Sequence, residues 1–154
     1  MPTIHPFHSA QREMPTASSS QKVFMDITAD NVPLGKLVFQ SGDFETQNAK
    51  RDGGKSTFGE KYFDDENFDI QHDRKGILAM DNYGWEHTNS SRFYVTFRET
   101  PWMNNFHVAF GELVEGFDVL DAIENLGILE GNAAQQGRTK AKIVISNCGI
   151  YETF

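Results

Sequence analysis

A single cysteine, Cys148, is all the thiol this chain carries, so no internal disulfide can form. No stretch approaches the run of about 20 apolar residues needed to cross a bilayer. The first residues also lack the charged-then-apolar pattern of a signal peptide. Together these absences favour a reducing compartment, cytoplasmic or nuclear. Basic residues are scarce as well: 14 stand against 22 acidic ones, for a formal charge of −8. So acidic a chain repels phosphate backbones, which argues against direct nucleic-acid binding. No internal repeat is present. What remains is 154 residues, 38% of them apolar, long enough for one domain with a core.

Residues 1–21 hold three of the five prolines and four serines, with no apolar period. Such a segment buries too little surface to order itself and reads as a disordered leader. Ile4, Phe7 and Met14 would let it dock on a partner. His5 and His8 lack further ligands nearby and suggest no metal.

The fold begins at Lys22. Val23, Met25 and Ile27 alternate with Phe24, Asp26 and Thr28, the period of a strand. Residues 31–35 supply turn chemistry and residues 36–39 a returning strand, which predicts a hairpin. Residues 40–59 read as a long surface loop. Within it Gly54-Lys55-Ser56 invites comparison with a phosphate-binding loop. That motif requires a glycine where Ala49 stands, and no helix follows, so the nucleotide reading fails. Asp64-Asp-Glu-Asn67 lacks the spacing of a calcium loop and reads as a solvated turn. No cofactor or metal is implied.

Residues 76–80, 93–97 and 107–110 are three strand-like pieces separated by polar loops, which predicts an antiparallel sheet whose loops meet at one rim. Residues 117–126 form the one good helix, with Val119, Leu120, Ile123 and Leu126 on one face and Gly127 at the C-cap position. Residues 142–148 make a last strand, on which Cys148 reads as a small core residue. The pattern is mainly β, a barrel or a sandwich with one helix.

The order of these fragments resembles the cyclophilin family of peptidyl-prolyl isomerases. The pieces that carry the likeness are Val-Phe-Met-Asp-Ile, Pro-Leu-Gly, Ser-Gly-Asp-Phe, Gly-Gly-Lys-Ser-Thr-Phe-Gly-Glu-Lys, Asp-Glu-Asn-Phe and Gly-Ile-Leu-Ala-Met. Asn-Ser-Ser-Arg-Phe-Tyr-Val-Thr, Trp-Met, His-Val-Ala-Phe-Gly, Val-Glu-Gly and Asn-Cys-Gly follow in the same order. The resemblance runs from Lys22 to Gly149, which makes residues 22–154 a cyclophilin-like domain behind the leader. It implies an antiparallel β-barrel capped by helices, with a proline pocket on its outer face.

One departure dominates. Between Phe39 and Gly42 the family carries a long block that includes the catalytic arginine, and here the hairpin return runs almost directly into Ser-Gly-Asp-Phe. The barrel is therefore expected to be incomplete, with the helix at 117–126 retained, and a gap in a barrel exposes strand edges. Rotation about an X–Pro bond must overcome amide resonance, a barrier of about 20 kcal/mol. The family's arginine is thought to weaken that resonance through the proline nitrogen, a stabilisation specific to the transition state. No arginine in this chain matches it.

By the same resemblance the peptide-binding residues are Gln40, Asp81, Asn82, Tyr83, Arg92, Tyr94, Trp102, Met103 and His107. Asn82, Trp102 and His107 match unchanged: a backbone partner, a groove wall and the closing of the proline pocket. Gln40 matches the pocket glutamine across the excision. Met103 replaces a leucine, Asp81 and Tyr83 replace alanines, and Arg92 replaces a glutamine. Tyr94 replaces a phenylalanine at the pocket floor and brings a hydroxyl that wants a partner. Arg92 is the candidate substitute for the missing arginine, but it starts on the far side of the pocket with Asp81 placed to hold it. An alternative packs Trp102, Tyr94 and His107 into the barrel with no binding role.

The leading expectation is a degenerate domain that binds or scaffolds within a larger assembly, of the spliceosomal or ciliary type, with weak or no isomerase activity. The rival is a working isomerase assisting protein folding. Cyclosporin binding is expected to be weak or absent. Full-length transcript sequencing decides whether a spliced message carries the missing block.

Overall fold

The structure, a computed structural model, describes residues 22–40, 56, 58–129 and 138–152. The leader and most of the 40–59 loop lie outside the described residues. The elements in order are β1 (Lys22–Ala29), β2 (Val32–Gln40), β3 (Ile77–Met80), β4 (Phe93–Val95), a 3-10 turn (Pro101–Met103), β5 (Ala109–Glu115), α1 (Phe117–Asn125) and β6 (Ile143–Ile150).

The six strands form one antiparallel sheet in the order β4-β3-β5-β2-β1-β6. It is mainly β with a single helix among the described residues, an open half-barrel rather than a closed one. Its outer strands are β4 and β6. The alternation in β1 works as expected, for Met25 and Ile27 are buried and join Leu37, Phe39, Leu78, Leu113, Val119 and Leu120 in the main core. Burying a side chain such as Leu78, fully enclosed here, contributes roughly 1.5–3 kcal/mol.

The hairpin turns earlier than residues 31–35. Asp30 and Asn31 form a two-residue turn with φ of 48° and 66°, and β2 resumes at Val32. Positive φ at both central positions matches the right-handed strand twist, and Asp and Asn tolerate it. Pro33 fits inside β2 because β5 pairs with β2 only from Val38 onward.

The helix matches its expected span to within one residue. Gly127 does not take a left-handed cap conformation; the last turn instead tightens, with Leu126 and Gly127 N–H donating to Ile123 and Glu124 carbonyls. The glycine that the packing demands stands at the other end. Gly116 has φ 97°, and a Cβ there would lie 2.3 Å from the Lys36 carbonyl oxygen.

Cys148 is exposed, contrary to its reading as a core residue. It pairs with the buried Met25, so the two side chains share a sheet face. The exposure follows from place: β6 is an outer strand, and residues 146–150 are exposed along its second half.

Candidate functional site

The loops leaving β3, β4 and the 3-10 turn meet at one rim. β3 pairs Met80 with Phe93 and Ala79 with Tyr94, which sets the floor, and Ala79 also pairs with Ala109 of β5. Small residues at 79 and 109 leave room for the Tyr94 ring, which packs on the Ile77–Ala79–Ala109 cluster. His107 stands edge-on to Tyr94, with centroids 5.3 Å apart and planes at 86°. Its Nδ1–H donates to the Met80 carbonyl at 3.0 Å, which fixes the neutral ring's orientation and tautomer.

The neighbouring wall comes from the short turn at Pro101–Met103. Proline at its first position supplies the φ that a helical turn needs. Met103 and Asn104 N–H groups bond back to Thr100 and Pro101, and His107 N–H reaches the Met103 carbonyl. Trp102 is left 62% exposed, so it is no part of the core. Arg98 lies over its ring at 5.8 Å. Half-buried Met103, which follows the exposed Trp102, accepts the His107 N–H, and His107 packs against half-buried Tyr94, so the turn and the floor are joined through His107.

On the opposite flank Asp81, Tyr83 and Arg92 gather into one cluster. The Arg92 guanidinium is 3.1 Å from the Asp81 carboxylate, donates to the Asn82 carbonyl at 2.8 Å and lies 4.2 Å over the Tyr83 ring. Tyr83 in turn packs edge-on against Tyr62. Arginine suits this post because its planar fork serves a carboxylate, a carbonyl and an aromatic face at once. Asn82 ties two loops together: its side-chain amide donates to the Phe106 carbonyl at 2.7 Å and its Oδ1 accepts the Gly84 N–H at 2.9 Å. One Asn82 carbonyl position is thus already taken by Arg92. Gln40 ends β2, its backbone paired with Lys22 and Glu112, and its side chain lies outside the described residues.

Two residues that sequence reasoning passed over complete the floor. His72 is fully buried, and its Nε2 lies 2.8 Å from the Tyr94 hydroxyl. Its backbone N–H donates to Asn104 Oδ1 at 2.8 Å, and its Nδ1 lies 3.0 Å from the same oxygen. Asn104 Oδ1 can only accept, so Nδ1 carries the proton and Nε2 accepts from Tyr94. Burial holds His72 below the usual histidine range, with the Asn104 bond opposing and nearby His107 assisting. Burial also raises the Tyr94 phenol, helped by the Asp81 charge. The only hint in the sequence was the extra hydroxyl of Tyr94, which needed a partner; nothing local marked His72 as that partner.

The fold is a mainly β half-barrel with one helix among the described residues, and an aromatic and histidine cluster lies at its rim. Residues 21–150 match the family described as cyclophilin type peptidyl-prolyl cis-trans isomerase/CLD. A curated relative, a peptidyl-prolyl cis-trans isomerase of Encephalitozoon cuniculi, is 43% identical over 114 residues, 74% of this chain. The chain belongs to the cyclophilin family. It spans 62% of that relative's length.

Proposed function

We propose that this chain is a proline-recognising binding domain that serves as a subunit of a larger assembly and isomerises X–Pro bonds weakly or not at all. One observation carries the reading. Tyr94 packs against His107, whose N–H bonds Met103 in the turn that carries Trp102, while Arg92 is held by Asp81, the Asn82 carbonyl and Tyr83. Binding a prolyl ring needs an apolar wall and a floor, which the first group supplies. Accelerating its rotation needs a charge delivered to the proline nitrogen in the transition state. Arg92 is bonded elsewhere, so its use as that charge would first break an ion pair, a hydrogen bond and a cation–π contact. The open edges at β4 and β6 also suit a domain that sits against a partner.

The isomerase reading keeps its standing from the relative's name and from His107 and Trp102. A coupled assay on a short X–Pro peptide separates the two. The expected result is little or no acceleration; clear acceleration that His107→Ala abolishes would establish the isomerase. Cyclosporin is expected to bind weakly or not at all, because by the family resemblance one wall of the groove belongs to the block this chain lacks. Calorimetry showing a sub-micromolar complex would refute this. Spliceosomal and ciliary assemblies, and a cytoplasmic, nuclear or ciliary location, are the settings to test by affinity capture and imaging. No helix among the described residues is long and apolar enough to cross a membrane.

A further inference from the structure

Replacing an apolar floor by tyrosine ought to spoil a pocket meant for a prolyl ring. A phenol left in the groove holds water, and an apolar ligand that displaces this water leaves the hydroxyl unsatisfied, at roughly 1–3 kcal/mol. In this chain the hydroxyl has another destination. It reaches Nε2 of His72, a residue with no exposed surface, across 2.8 Å. The tautomer that makes Nε2 an acceptor is enforced from the far side by Asn104, whose Oδ1 takes both the ring Nδ1–H and the backbone N–H. The two rings also stack, with planes 22° apart. Asn104 directly follows the turn that carries Trp102 and Met103, and Thr100 at the turn's start donates its N–H to the His72 carbonyl at 2.8 Å. One buried histidine therefore grips both the floor and the wall.

We propose that His72 is a positioning and specificity-determining residue of the groove: it takes the Tyr94 hydroxyl inward and presents the floor to a ligand as a bare aromatic face. The groove then selects an unsubstituted prolyl ring over a hydrogen-bonding group. The inference rests on the proline-binding reading above, but its first test needs no ligand. In the full-length protein, two-bond proton–nitrogen correlation of the histidine rings reports the tautomer directly. His72 should appear neutral, protonated on Nδ1, and its Nε2 resonance should shift when Tyr94→Phe removes the donated proton. A His72 protonated on Nε2, or a spectrum that Tyr94→Phe leaves unmoved, overturns the assignment.

The second test reads binding of a proline-containing peptide by calorimetry. Adding His72→Leu to Tyr94→Phe should change affinity by less than about twofold, because the hydroxyl that His72 holds is already gone. His72→Leu should weaken binding by about fivefold or more, since it frees the hydroxyl toward the groove. The double variant should recover to near the parent affinity, a rescue that mere damage to the fold would not produce. A double variant as weak as His72→Leu, or one far weaker than Tyr94→Phe, overturns the proposal. If the parent binds no such peptide, the proline-binding reading falls, and the ring spectrum still decides whether His72 holds Tyr94.

Discussion

At the scale of single residues, the groove rests on polar atoms that are not themselves in it. Asn104 satisfies two donors of a buried histidine with one oxygen. Asn104→Ala leaves both unpaired, and we expect about 1–3 kcal/mol of destabilisation, measured by urea unfolding. The histidine also gives the protein a pH signature. Its folded pKa lies below the ordinary 6.5, so the folded state binds fewer protons than the unfolded chain across that interval. Stability is therefore complete above pH 6.5 and falls as the pH drops below it. The groups bearing on the ring are Tyr94, Asn104 and His107. His72→Leu should flatten the slope of stability between about pH 7 and 5; an unchanged slope would place the titration elsewhere. None of this was legible in the sequence. Tyr94 announced a missing partner, but His72 lies 22 residues before it and 32 residues before Asn104, and only the fold joins the three. By contrast the Asp81–Arg92 pair was foreseeable, because a carboxylate and a guanidinium had replaced small and neutral residues together.

At the scale of elements, hydrophobic periodicity carried the reading well. The strands at residues 77–80 and 93–95 and the helix at residues 117–125 sit where apolar spacing put them. Errors arose where backbone conformation or tertiary placement decides. The hairpin turned at Asp30-Asn31 rather than in the Pro-Leu-Gly stretch, since a two-residue turn needs two left-handed residues and not a proline. The helix glycine that matters is Gly116 at the start, where close approach to the β2 backbone forbids a side chain. Gly116→Ala combines a left-handed φ with a steric clash and should cost about 2 kcal/mol or more, whereas Gly84→Ala, with φ 87° but open space, should cost less. Thermal unfolding of the two variants compares them. Cys148 shows the same limit: a strand cysteine reads as core, and the register does put it on the face of buried Met25, but burial depended on what lies beyond β6.

At the scale of the whole molecule, the family likeness was readable, and the open sheet between β4 and β6 matches the expected incomplete barrel. The open arrangement has a measurable consequence. Amides of β2 and β5 in the middle of the sheet should exchange slowest with deuterium, and those of β6 far faster. Equal protection across β6 would mean that its edge is covered in solution. The central claim is that the groove recognises proline without driving its rotation, and one experiment reads both halves. A proline-containing peptide is titrated into labelled protein while NMR exchange spectroscopy follows its cis and trans forms. The account predicts saturable shifts at the Trp102 indole and the His107 amide, with peptide exchange remaining on the uncatalysed scale of roughly tens of seconds. Exchange accelerated by orders of magnitude at catalytic protein concentration, and lost in His107→Ala, would contradict it.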